Sequence, residues 1–246
     1  MSIKQENLGI IFALVAAAEW GIFPVLVNRG TQSIPPLMFA AITTLLAAVG
    51  FFIFAALKGD LHELKNRNAY KSLIMVTLCI VIFPYTLFFI GSSKTSGLNS
   101  SLLLLSEIIF TLIFTHFIGE KTTIIKLVGA LGVFVGALLI LYNGKSQLNA
   151  GDLLVILSTA TYPVGNFYAK KALNFVSSST ILLFRFLLGG FFILIISLFF
   201  ESQSSMLQPM IANWELILFT GLILLGVGKI IWYEGLKRLD ISKAIS

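Results

Sequence analysis

Four charged residues lie inside long apolar stretches of the sequence: Glu19, Glu107, Arg185 and Lys229. A charged side chain at the middle of a transmembrane helix costs about 2.5–3.5 kcal/mol on insertion scales, so such residues indicate a functional site. Carboxylates there can exchange protons, and basic groups can hold the anionic part of a substrate. In the alternative interpretation, the acids and bases pair with each other and only hold helices together.

Aromatic and amide side chains accompany these charges. Trp20 precedes Pro24 by one helical turn, and Tyr85 and Tyr162 adjoin Pro84 and Pro163. Proline removes a backbone hydrogen bond and bends a helix, which is typical of transporter helices around a central site. Aromatic rings there stack on organic molecules or cations, although Tyr and Trp also mark membrane interfaces. The predicted substrate-binding residues are Glu19, Trp20, Tyr85, Glu107, Tyr162, Asn166, Arg185 and Lys229.

The stretch around Glu107 shows a polar stripe. Ser100, Glu107 and Thr111 are spaced so that a continuous helix places them on one face, opposite Leu, Ile and Phe side chains. We therefore expect these three side chains to face a common polar cavity.

Composition identifies the setting of these residues. The chain is 57% hydrophobic and 11% charged, whereas soluble domains average about 25% charged residues. We predict an all-α integral membrane protein with eight transmembrane helices, at roughly 8–28, 36–57, 71–91, 97–118, 124–142, 151–170, 179–200 and 213–235, followed by the start of a ninth. Its expected partners are the lipid bilayer and a small molecule; the dispersed bases exclude a nucleic-acid surface. We predict no cofactor and no metal site.

Lys and Arg indicate orientation, because cytoplasmic loops carry an excess of them. If the N-terminus is cytoplasmic, the outside loops hold only Arg29, Lys94 and Lys145. The inside segments then hold Lys4, Lys58, Lys65, Arg67, Lys71, Lys121, Lys126, Lys170, Lys171, Lys237, Arg238 and Lys243. We therefore predict a multi-pass protein of the cytoplasmic (inner) membrane with a cytoplasmic N-terminus.

The sequence also resembles itself. An offset of about 142 residues places Trp20 on Tyr162, and one of about 144 places Gly91 on Gly235. The basic loop 58–71 corresponds to the acidic loop 201–215, as expected if five helices invert the second unit. We predict a first five-helix repeat over 1–145 and a second repeat over 146–246.

Several motifs resemble the EamA-like branch of the drug/metabolite transporter superfamily. They are the segment 91–107 with its small residues and Glu107, the "FIGEK" at 117–121, the "GALGVFVGALL" at 129–139, the "EWG" of the first helix and the "EGLKRLD" at 234–240. The resemblance implies ten helices in two inverted repeats and the transport of amino acids, drugs or other metabolites. Ile108 stands where the family often has proline.

The favoured function is a secondary transporter, and more specifically an exporter, of small organic metabolites such as amino acids, working by alternating access. Proton coupling through Glu19 or Glu107 is a further hypothesis. The alternative is a multidrug exporter of lipophilic cations, for which Glu19 is also suited. Residue patterns support neither an enzyme nor a channel.

Gly132 and Gly136 form a GxxxG motif that suits close helix packing, within the chain or in a homodimer. By the repeat offset, a complete carrier has about 287 residues, so the counterparts of the fourth and fifth helices are expected to be missing. We expect a chain ending at residue 246 to be an inactive remnant of a carrier.

Overall fold

A computed structural model of the protein describes residues 3–117, 124, 128–129, 131–133, 135–136, 148–202 and 207–239. Every regular element in these ranges is helical. The helices are α1 (Ile3–Thr31), α2 (Pro36–Lys58), α3 (Arg67–Ser92), α4 (Gly97–Phe117), α5 (Ala150–Thr159), α6 (Tyr162–Ala172), α7 (Ser178–Phe200), α8 (Leu207–Ala212) and α9 (Trp214–Leu236). A short 3₁₀ helix, Asp60–Lys65, follows α2.

Six of these helices, α1, α2, α3, α4, α7 and α9, are long and apolar enough to cross a membrane. They correspond to six of the predicted spans. The predicted span 151–170 is instead divided into α5 and α6 by a turn at Ala160 and Thr161. Most of the predicted span 124–142 lies outside the described residues, as does the start of the ninth helix at 240–246, so eight spans and a ninth helix stay a prediction.

The membrane-crossing helices form a bundle in which partners are distant in sequence. Helix α2 packs antiparallel against α7, α3 packs against α5 and α6, and α1 packs against α9 and the start of α4. Phe51 and Phe186 join α2 and α7, with ring centroids 5.2 Å apart. Large apolar side chains such as Leu14, Leu57 and Phe199 are exposed on the outer surface, which suits contact with lipid.

Helices α2 and α7 cap each other. The Glu201 carboxylate, just past the end of α7, accepts hydrogen bonds from the backbone amides of Leu37 (2.7 Å) and Met38 (2.8 Å) in the first turn of α2. At the opposite end, Glu63 accepts hydrogen bonds from the backbone amide of Ser177 (2.6 Å) and the Thr180 hydroxyl (2.7 Å). Helix N-termini have unpaired N–H groups and favour negative charge. The α2–α7 pair is therefore fastened at both ends.

Two crossing helices contain π-helical segments, and other helices are interrupted at turns. The π-helical segments are Thr77–Ile82 in α3 and Phe219–Val227 in α9. A turn at Leu104 and Leu105 interrupts α4 although no proline is present, and the Ala160–Thr161 turn precedes Pro163. Such irregular segments are frequent at functional sites.

Side-chain hydrogen bonds tie three of these irregular segments together. The Thr161 hydroxyl donates to the carbonyl of Cys79 at 2.9 Å, and the Ser106 and Thr159 hydroxyls lie 2.8 Å apart. The bond from Thr161 satisfies a backbone carbonyl of the π-helical segment, as backbone groups freed from regular helix bonding require inside a membrane. Tyr85, Glu107, Tyr162 and Lys229 all follow an irregular segment within three residues, so these segments set where the four side chains lie.

The glycines of the predicted GxxxG motif and its neighbour Gly129 have open space around them, unlike glycines at helix crossings such as Gly151. No described atom lies within 4 Å of the position that a Cβ would take at Gly129, Gly132 or Gly136. Close packing of this motif against another helix is therefore not formed among the described residues, and its role in a homodimer stays a prediction.

Candidate functional site

A cavity of about 250 Å³ lies inside the bundle, between α1, α3, α4, α6, α7 and α9. Seven of the predicted site residues line it: Trp20, Tyr85, Glu107, Tyr162, Asn166, Arg185 and Lys229. Side chains separated by as much as 209 positions, from Trp20 to Lys229, therefore meet at one place. The other side chains of the wall are mostly small or apolar, so the charged groups face an otherwise apolar cavity.

Glu19 does not line this cavity. It is half-buried and borders a narrow neighbouring cleft together with Trp20, Phe23, Leu224 and Leu225. Its carboxylate lies against Gly228, where any added Cβ would collide with it. Consecutive residues point about 100° apart around a helix, so Trp20 lines both the cavity and the cleft, whereas Glu19 lines the cleft.

Arg185 is the most deeply buried charge of the site, with 1% of its surface exposed. Its Nη1 donates a hydrogen bond to the Tyr233 hydroxyl at 3.2 Å. Its guanidinium carbon lies 4.9 Å from the ring centroid of Phe186 and 5.1 Å from that of Tyr233. These aromatic contacts hold the guanidinium plane, since Arg stacks favourably on aromatic faces.

Lys229 is held by a different contact. Its Nζ lies 3.1 Å from the ring centroid of Trp20, a cation–π arrangement, and 4% of the residue is exposed. Among the described residues, the ion pairs join Glu234 to Lys237 and Arg238 at the end of α9. None joins any two of Glu19, Glu107, Arg185 and Lys229. Direct ion pairs therefore do not support the interpretation that these four charged residues only hold helices together.

The polar stripe predicted around Glu107 is altered by the turn in α4. Glu107 lines the cavity, but Ser100 lies before the interruption and its hydroxyl donates to that of Ser92 at 3.2 Å. Ser101 lines the cavity instead. Of the three side chains expected to share one cavity-facing stripe, only Glu107 lines the cavity. The expectation was wrong for Ser100, because it assumed an uninterrupted helix, and wrong for Thr111, which is buried but does not line the cavity.

Other lining residues were missed from the sequence. Ala13, Ala17 and Gly21 form the α1 side of the cavity. Trp232 also lines it, although its position near the end of a span suited a place at the membrane interface equally well. The three small residues recur every four positions and so share one helical face. That spacing could have been used to predict this side of the cavity, since small side chains on one helical face leave room for a cavity or for close packing.

The chain matches the EamA-like transporter family over residues 7–142 and again over 149–246. The chain belongs to that family. EamA-like membership and the six apolar helices make it a multi-pass membrane protein, as the sequence motifs predicted.

Relatives carry transporter names. The chain is 27% identical to "Uncharacterized transporter YoaV" of Bacillus subtilis (strain 168), over 96% of this chain and 81% of the relative. It is 27% identical to a "Probable amino-acid metabolite efflux pump" of Escherichia coli (strain K12), over 67% of this chain and 54% of that protein. A solved crystal structure has the same fold, with a TM-score of 0.78 and 16% identity over 96% of this chain and 82% of that chain.

Proposed function

We propose that this EamA-like protein is a secondary transporter that exports small organic metabolites, such as amino acids or related compounds, across the cytoplasmic membrane. The cavity carries this proposal, because it brings acidic, basic, amide and aromatic side chains together inside a membrane bundle. Similarity to a protein named as a probable amino-acid metabolite efflux pump supports the substrate class and the direction.

The volume of the cavity supports a metabolite over a drug. At about 250 Å³ it lies below the 300–1,000 Å³ typical of sites for drug-sized ligands. A multidrug exporter of lipophilic cations remains the second candidate, through Glu19 in its aromatic cleft. Cells expressing the protein should gain little resistance to quaternary amines; a large gain would favour the second candidate.

Alternating access between two inverted repeats is the proposed mechanism. The first repeat is 1–145 and the second 146–246. If the two repeats are related by a twofold axis, α1 corresponds to α5–α6, α2 to α7, and α3 to α9. The contact between α3 and α6 then corresponds to the contact between α9 and α1, and the α2–α7 contact corresponds to itself. The π-helical segments 77–82 and 219–227 also coincide at an offset of about 144 residues.

Two glycine contacts follow the same relation. A Cβ on Gly91 would lie 2.8 Å from the carbonyl oxygen of Gly151, and one on Gly235 would lie 3.3 Å from that of Gly9. The corresponding crossings at the two ends of the bundle are thus unequally close. A carrier that opens one end while closing the other is expected to show this inequality. With the N-terminus in the cytoplasm, the Gly9–Gly235 end faces the cytoplasm.

Proton coupling through Glu107 or Glu19 is part of the proposal. Glu107 lines the cavity and has no direct ionic partner among the described residues, so its carboxyl is free to exchange a proton with a passing substrate.

The experiment is uptake of radiolabelled amino acids into proteoliposomes that contain the purified chain, with and without an imposed pH gradient. We expect saturable uptake that the gradient accelerates, and loss of the acceleration in Glu107→Gln. Uptake no faster than in empty liposomes would contradict the transport function. A rate unaffected by the gradient would contradict proton coupling alone.

A further inference from the structure

We propose that the Nε–Nη2 edge of Arg185, with the Tyr85 hydroxyl, is the binding site for a carboxylate group of an organic substrate. This assignment rests on the proposed transport function and adds to it the chemical group that the site recognises. It also separates the roles of the two bases, which the sequence presents as equivalent.

The guanidinium of Arg185 is fixed on one side and open on the other. Nη1 is engaged by the Tyr233 hydroxyl, and the rings of Phe186 and Tyr233 hold the plane. Nε and Nη2 are buried and have no hydrogen-bond partner among the described residues. These two nitrogens form one edge of the guanidinium, with parallel N–H groups that match the two oxygens of a carboxylate.

A third donor without a partner belongs to the same cavity. Tyr85 is 1% exposed, lines the same cavity, and its hydroxyl also lacks a hydrogen-bond partner. Its ring packs edge-on against Phe186, the residue beside Arg185, with centroids 6.3 Å apart. A buried donor without a partner destabilises the protein, and a charged one does so more strongly. Three such donors on residues that line one cavity therefore indicate an acceptor that comes from outside the chain.

The acids of the site do not fill this position. Neither Glu19 nor Glu107 pairs with Arg185, and Glu19 faces the neighbouring cleft. Lys229 is occupied by the face of Trp20, so its ammonium is stabilised without an anion. Arg185 is thus the base of the cavity with an open hydrogen-bonding edge.

The wall of the cavity distinguishes an organic acid from an inorganic anion. Ile80, Leu104, Leu105 and Ile108 line it with apolar surface. Apolar walls favour burial of a hydrocarbon part, which phosphate does not have. A carboxylate on a short hydrocarbon chain satisfies both the open edge and the walls.

The test uses the purified full chain in detergent and three four-carbon probes with an anionic, a neutral and a cationic head group: butanoate, butanamide and butylammonium. Trp20 and Trp232 line the cavity, so quenching of tryptophan fluorescence reports occupancy. We expect butanoate to bind about tenfold or more tighter than butanamide, since hydrogen bonds to a charged group contribute about 1.5–3 kcal/mol. Inorganic phosphate should bind more weakly than butanoate.

Matched variants locate the effect. Arg185→Lys keeps the charge but removes the two-donor edge, and should lose the preference for butanoate over butanamide. Tyr85→Phe removes an unpartnered hydroxyl, so it should keep the thermal unfolding midpoint yet weaken butanoate binding several-fold. Arg29→Lys, at an exposed position outside the cavity, is the control and should bind butanoate as the unmodified chain does.

Equal affinity for butanoate and butanamide, or no saturable butanoate signal, would overturn the assignment. Phosphate binding as tightly as butanoate would assign the edge to an inorganic anion instead. Butanoate selectivity in a chain that shows no transport would contradict the proposed function and leave the site intact. Transport without butanoate selectivity would contradict only the site.

Discussion

The reciprocal capping of α2 and α7 predicts that Glu201 stabilises the fold. In Glu201→Ala, the amides of Leu37 and Met38 lose a charged acceptor at 2.7 and 2.8 Å. Loss of an N-terminal cap costs about 0.5–2 kcal/mol, and loss of negative charge beside a helix N-terminus about 0.3–1 kcal/mol. Glu201 is partly exposed, so water replaces some of the lost bonds. We expect a total loss of about 1–2 kcal/mol.

Unfolding of the purified protein by increasing SDS in mixed micelles measures this loss. Glu201→Gln keeps an acceptor oxygen and removes the charge, so it should lose only about 0.3–1 kcal/mol. Glu215→Ala is the comparison variant, because Glu215 is exposed in the first turn of α9, where loss of the charge alone should cost about 0.3–1 kcal/mol, less than Glu201→Ala. The hydrogen-exchange rates of the Leu37 and Met38 amides report locally on the loss of the cap.

The opposite end of the pair gives an internal check. Glu63→Ala removes the acceptor of the Ser177 amide and should cost a similar amount. The two caps lie at opposite ends of α2, which is about 34 Å long, so the losses should add in the double variant within about 0.5 kcal/mol. The reasoning fails if Glu201→Ala unfolds together with Glu215→Ala and its Leu37 and Met38 amides exchange at the unmodified rate.

Two further predictions concern the other helix contacts. Gly151→Ala should destabilise the protein by about 1–3 kcal/mol in the same SDS titration, because the new Cβ meets a carbonyl oxygen at 2.7 Å. Gly132→Ala should be neutral or stabilising, because no described atom lies within 4 Å of the new Cβ. Asn28→Ala should speed hydrogen exchange in the loop after α3, because the Asn28 amide donates to the carbonyls of Ser92 at 2.6 Å and Thr95 at 2.9 Å; unchanged exchange there would show that these bonds do not order the loop.

Hydropathy predicted where helices lie, because burial in lipid requires a long apolar run. It did not predict the interruption at Leu104 and Leu105, since no proline or glycine marks it. That turn changes which side of α4 faces inward, and so Ser101 replaces Ser100 in the cavity. Pro163 did predict a weak point, and the helix is interrupted immediately before Tyr162.

The candidate site was likewise predictable only in part. Charges in apolar stretches are costly wherever the helices pack, so Glu107, Arg185 and Lys229 could be selected without a structure. Their relations to one another could not. Whether two such groups pair, stack on a ring or stay open depends on helix rotation and on contacts between segments far apart in sequence, as the stacking of Lys229 on Trp20 illustrates.

The sequence by itself determined the membrane class, the positions of most spans and the residues worth testing, because each depends on local hydropathy and on the energy of a charge in lipid. Only the tertiary structure decided that seven of those residues share one cavity, that Glu19 turns away from it, and that Arg185 keeps one edge open. Those outcomes depend on the rotation and close packing of helices against each other, which no single segment specifies.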